Sequence, residues 1–206
     1  MKTVFIIGDS ISLHYHEYIK KLLENKAQYY RKGSTGEIQE ALNDPNNPFG
    51  ANGGDSNLVL EYMQELKSKN KKFDLLLINC GLHDIRVDRR NNKIQLDENQ
   101  YRENLNKIIE ISKDLSNKLI WISTTPVNDE IHNSRNDGYL RYNKDVEKYN
   151  ELAQNIMSAN NIKIIDLYEF TKKLESKDIY RDHAHYREDI CKKQAQFIYD
   201  NIKELL

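Results

Sequence analysis

Apolar residues fall along this chain in two alternating patterns. Short runs at residues 3–7, 73–79, 118–124 and 162–166 are rich in Val, Ile, Leu and Phe, and a weaker run with two tyrosines lies at 27–31. Continuous runs of that length suit strands whose sheet is covered on both faces. Between them, residues 11–24, 57–69, 98–115, 141–159 and 187–205 repeat apolar side chains at helical spacing, as Leu105, Ile108, Ile109 and Ile111 do. Strand and helix taking turns predicts an α/β fold on a parallel sheet, and five of each predict a three-layer α/β/α sandwich.

Three connections are longer than joining such elements requires: residues 33–55, 80–97 and 126–140. Long loops in a compact domain are usually functional, and the first two follow strands whose carboxyl ends are where open α/β sheets bind ligands. The three prolines, Pro45, Pro48 and Pro126, fall in predicted loops. No internal repeat, linker or low-complexity tract interrupts the pattern, and 206 residues suit one such domain, residues 1–206.

Composition narrows the class. Lys plus Arg number 31 and Asp plus Glu 32, a formal net charge of −1, which argues against a nucleic-acid or anionic-membrane partner. No apolar run approaches the roughly 18–20 residues of a membrane span, and the apolar stretch after Met1 is too short for a signal peptide. Cys80 and Cys191 have no metal-binding spacing, and a reduced, cytoplasmic setting is the expectation.

Four segments carry candidate chemistry. Gly8-Asp9-Ser10 lies where the first strand meets the first helix, so Ser10 sits where free backbone N–H groups favour developing negative charge. An ordinary N-cap would read the same way. Asp182-His183-Ala184-His185 precedes the last helix, and an Asp three residues before a His can orient its ring while the other nitrogen acts as a base. His183 and His185 suggest a metal pair only weakly, since no third ligand stands out, and no cofactor is expected. Asn52-Gly53-Gly54-Asp55-Ser56 and Cys80-Gly81-Leu82-His83-Asp84 fall on the same predicted edge and offer donors to a substrate oxygen.

In this order the four segments resemble the blocks of the SGNH/GDSL hydrolase superfamily. Gly8–Ser10 is similar to its first block, Gly54-Asp55-Ser56 to the second, Gly81–Asp84 to the third and Asp182–His185 to the last. Lesser echoes are Thr124-Thr125-Pro126-Val127 and Tyr149-Asn150, so the likeness runs from residue 4 to about 200. It implies a flavodoxin-like five-stranded sheet of order 2-1-3-4-5. It also implies a Ser10–His185–Asp182 triad and an oxyanion hole from Ser10, Gly54 and His83, with Gly53 an alternative to Gly54. The third block of that family carries Asn where this chain has His83.

The implied activity is hydrolysis of a small-molecule ester. Asn46, Asn47, Asn52, Arg86, Arg89, Arg90, Asn91 and Asn92 give the surrounding loops a polar character that suits a short acyl group on a polar carrier. A carbohydrate O-acetylesterase fits best. A thioesterase or lysophospholipase-like acyl hydrolase, or a silent sugar- or phosphate-binding protein on the same fold, are the alternatives.

Overall fold

The computed structural model describes residues 1–44, 47–174 and 179–206. Pro45 and Asn46 lie outside the described residues. Five parallel strands form the sheet: β1 (Lys2–Ile7), β2 (Ala27–Arg31), β3 (Phe73–Ile78), β4 (Ser116–Ile122) and β5 (Lys163–Ile165). With these five numbered alone, their spatial order is β2-β1-β3-β4-β5, as the family resemblance implies. Val4 of β1 faces Leu75 of β3, and Ile78 of β3 faces Trp121 of β4. Ile7, Leu76, Leu77, Ile78, Ile120 and Ile122 are wholly buried, which explains why these strands read as unbroken apolar runs.

Helices cover both faces. α1 (Ser10–Leu23) packs on α8 (Glu188–Ile202) on one side. On the other, α3 (Ser56–Ser68) packs on α4 (Glu98–Leu115), and α4 on α6 (Asn143–Ala159). Three further helices lie outside the five that the apolar spacing predicts. α2 (Thr35–Asn43) buries only Ala41 and is held at its start by a capping box between Ser34 and Glu37. α5 (Asp129–Arg135) is capped by Asn128, and α7 (Leu167–Lys172) by Asp166, the last residue of the run read as a strand. Each is short and buries few apolar side chains, so periodicity carries little trace of it.

The long connections become organised structure. Residues 33–55 contain α2, and a two-stranded antiparallel ribbon pairs Val87–Asp88 with Tyr139–Leu140, joining the other two loops. At the carboxyl edge, Asn79 donates its backbone N–H to Ile7 O at 3.0 Å and its side-chain amide to Ile122 O at 3.0 Å, tying β1, β3 and β4 together.

Gly81, just beyond β3, has φ +144°, and a Cβ there would collide with the Thr124 hydroxyl that donates to Cys80 O. Gly81→Ala is expected to cost roughly 1–3 kcal/mol through both effects. A urea titration checks this, and an unchanged midpoint would show that the loop adjusts without strain.

Candidate active site

β1 ends at Ile7, and the chain turns within Gly8 and Asp9 into α1, whose first residue is Ser10. The Asp9 carboxylate caps the helix by accepting the Ile11 N–H at 2.9 Å. Burial pushes the Asp9 pKa up, against the Ile11 N–H and the charges of Arg141 and His185. As the first helical residue, Ser10 has no intrahelical acceptor for its N–H.

Ser10 Oγ lies 2.9 Å from His185 Nε2. On the other side of that ring, Nδ1 lies 2.9 and 2.8 Å from the two carboxylate oxygens of Asp182. Asp182 also accepts the N–H groups of Ala184 and His185, at 2.9 and 2.8 Å. Burial acts to raise its pKa, but the His185 hydrogen bond, the His185 charge and the two backbone donors outweigh it. The carboxyl is held well below the usual range. The loop carrying both residues is pinned by Arg181 N–H to His185 O at 2.7 Å and by the Tyr186 hydroxyl to Pro126 O at 2.7 Å. The order carboxylate, imidazole, hydroxyl is one in which a proton can leave Ser10 for His185 while Asp182 stabilises the resulting imidazolium.

The two expected donor segments border this group differently. His83 is buried, and its Nδ1 has no hydrogen-bond partner among the described residues. Burial, then the positive charges of Arg86, Arg141 and His185, drive its pKa well below the ordinary histidine value, so the ring is neutral. Gly54 has φ +69°, and its N–H donates to Asn52 Oδ1 at 3.0 Å. A substrate oxygen therefore reaches that N–H only by sharing it with Asn52 or displacing the amide. Gly53 is no substitute, because its N–H is spent on Gly8 O at 2.9 Å. Asp84 closes this region from behind: it accepts the Ser56 N–H at 2.9 Å, and burial raises its pKa to about 7 despite that bond.

Sequence spacing gave no sign of several neighbours. His14, one turn into α1, sets its ring 4.7 Å from that of His185 at a tilt of 56°. His132 of α5 meets His183 with Nδ1 atoms 3.0 Å apart, so one nitrogen of the His183 ring is engaged there. Arg141 is buried and donates Nε to Leu82 O at 2.6 Å. These residues come from elements remote in sequence, and only the fold unites them. Among the described residues, no group of three or more His, Cys, Asp or Glu converges as metal ligands, and no helix is long and apolar enough to cross a membrane.

Five histidines are held neutral chiefly by burial. The pKa values of His14 and His132 are lowered to about 3 and those of His16 and His183 to about 4, and that of His83 lies well below its ordinary value. An unfolded chain protonates each near 6.5, so the stability they contribute is present above that pH and is lost as pH falls toward 4 and below. Asp9 and Asp84 act in the opposite sense, because their raised pKa values let the folded protein bind protons first. With five groups against two, the urea midpoint should fall between pH 6.5 and 4.5. A midpoint that holds or rises over that range would contradict the assignment of neutral buried rings.

The GDSL-like lipase/acylhydrolase family model matches residues 4–198. No curated protein sequence matches the chain. Among solved structures, a lipase/acylhydrolase from Enterococcus faecalis is similar at 18% identity and TM-score 0.63, over 100% of this chain and 97% of that one. An acetyl xylan esterase from Geobacillus stearothermophilus is similar at 14% identity and TM-score 0.68, over 98% and 94%. A carbohydrate acetylesterase from Sinorhizobium meliloti is similar at 12% identity and TM-score 0.63, over 100% of both chains. At such identities the structural likeness speaks to the fold alone, whereas the family model spans nearly the whole sequence, and by that match the chain belongs to the GDSL-like lipase/acylhydrolase family.

Proposed function

We propose that this protein is a serine ester hydrolase that removes a short acyl group from a polar carrier, in particular an O-acetyl group from a carbohydrate. The observation that carries the reading is the 2.9 Å approach of Ser10 Oγ to His185 Nε2, with Asp182 on the other ring nitrogen. In the proposed reaction Ser10 attacks the ester carbonyl as His185 takes its proton. The Ser10 N–H and the His83 ring stabilise the oxyanion, with Gly54 joining if Asn52 yields its N–H. His185 then gives that proton to the departing sugar oxygen, which leaves as the free hydroxyl, and water repeats the sequence on the acyl-enzyme to release the acid and restore Ser10.

Support for a polar carrier comes from the loop that follows the third-block segment. A groove of about 360 Å³ beside the third-block loop is lined by Arg86, Asp88, Lys93, Gln95 and Tyr139, with Ile94 as its one aliphatic side chain. Such walls suit hydroxyl-bearing carriers. Two of the similar solved structures are a carbohydrate acetylesterase and an acetyl xylan esterase, which agrees with this direction.

An organophosphonate is expected to label Ser10, and Ser10→Ala to lower kcat on acetylated sugars by about 10³-fold or more. His185→Ala should do comparable damage, while His183→Ala keeps most activity because His183 faces His132. Peptide mapping of the labelled protein and steady-state kinetics check both. Label on another serine, or a fully active Ser10→Ala protein, would remove the nucleophile assignment.

His83→Ala should lower kcat by about 10²–10³-fold with little change in KM, the size of one lost oxyanion donor. His83→Asn should regain much of it, since an amide N–H takes the same place. Because the ring is neutral, wild type and His83→Asn should share the same alkaline behaviour. An alkaline decline present only in wild type would mean that imidazolium is the donor.

A further inference from the structure

We infer that His14 is a positioning residue for the triad: its ring backs the ring of His185 and keeps that base turned toward Ser10 while it carries the proton. This rests on the esterase reading above and adds to it a residue outside the four segments of the family pattern.

One turn of helix sets the pair up. Ser10 and His14 lie four positions apart in α1, so their side chains emerge on one face, one above the other. On either side of His14, Leu13 and Tyr15 are buried in apolar clusters, which fixes the backbone between them. α1 packs on α8, and the loop that carries His185 leads into α8. There the His14 and His185 rings meet, with centroids 4.7 Å apart and planes at 56°.

Ser10 and Asp182 hold the two nitrogens of His185, yet a ring held at two edge atoms can still rock about the line joining them. Once Nε2 has taken the proton, Ser10 Oγ is bonded to the substrate carbon and holds that end of the ring less firmly. A ring packed alongside limits the rocking at the step where a small misplacement costs most. His183 is less suited to this, because its centroid is 5.9 Å from that of His185 and its Nδ1 is engaged with His132.

The charge state agrees. His14 Nε2 is buried with no hydrogen-bond partner among the described residues, so that side of the ring contributes packing and not a polar anchor. Burial, then the charges of His185 and Arg181, lower the His14 pKa to about 3 against the pull of Asp182. A neutral neighbour lets His185 become imidazolium, whereas a cation at this distance would oppose it.

Kinetics of the whole protein on an acetylated sugar test the role. His14→Ala and His14→Gln should lower kcat by about 10-fold with KM nearly unchanged, and His14→Phe, which restores a ring, should recover most of the loss. The second readout is the acid limb of kcat/KM, which His185 sets. It should lie about 0.5–1 pH unit higher in His14→Glu than in the equally sized His14→Gln, because a carboxylate beside the ring favours imidazolium. Asp182, Arg181 and His183 also face this pair, and Asp9 and His83 bear on His185, but all are common to both variants.

A wild-type kcat in His14→Ala, or a His14→Phe protein as slow as His14→Ala, would overturn the inference and leave the esterase standing. Equal acid limbs in the Glu and Gln variants would overturn it too. Should His14→Ala fail to fold, the other three variants decide. If wild type hydrolyses no ester, the esterase reading fails, and an NMR titration of the His185 ring decides without turnover. A higher His185 pKa in His14→Glu than in His14→Gln keeps the ring pair, and equal values remove it.

Discussion

Much of the site depends on how β1 ends. Within three residues the chain must leave the centre of a buried sheet, satisfy its backbone groups and start a helix that packs back over one face of it. Gly8 passes its carbonyl to the Gly53 N–H, and Asp9 supplies the first helical cap. A Cβ on Gly53 would press into the Gly8 carbonyl at 2.9 Å, so contact between the two loops requires glycine there. With both anchors in place, Ser10 occupies the first turn of α1 and meets a histidine 175 residues further along the chain at hydrogen-bond distance.

Burial of charge is the second constraint, and it shapes the electrostatics around Ser10. Asp9, Asp84, His83 and Arg141 are all withdrawn from water, and burial is the leading cause of each of their shifts. For His83 desolvation and neighbouring cations act in the same direction, which makes a neutral ring the stable state. For Asp182 desolvation is opposed by four named interactions, which leaves a carboxylate beside His185. One environment thus keeps one group neutral and another ionised, the separation that acid–base chemistry at a single site requires.

The sheet was legible because burial on both faces writes continuous apolar runs, and the large helices because one stripe of each meets the core. α2, α5 and α7 were not, since caps at Ser34, Asn128 and Asp166 hold them more than apolar faces do. The approach of Ser10, Asp182 and His185 to one another was an expectation of the family resemblance, since each segment alone would read as an ordinary cap or loop. Arg141, His14 and His132 could not be read, because their relation to the site is made by tertiary contact alone. Leu82 O and the Arg141 Nε, for example, are joined across 59 positions.

The region beside Ser10 where an oxyanion would form is where local geometry and the family pattern pull apart. The second-block segment offers two backbone N–H groups, yet Gly8 O holds one and Asn52 Oδ1 the other. The Gly8 bond is structural, because releasing it would loosen the turn that places Ser10. The Asn52 bond joins a buried side chain to a residue two positions away, so exchanging it for a substrate oxygen would leave the bonds of the strand itself in place. In the proposed reaction that exchange would be favourable only when negative charge develops on the substrate oxygen, since a charged acceptor binds an N–H more strongly than an amide does. Asn52 would then act as a stand-in acceptor that keeps a buried donor satisfied in the resting protein and yields it in the transition state.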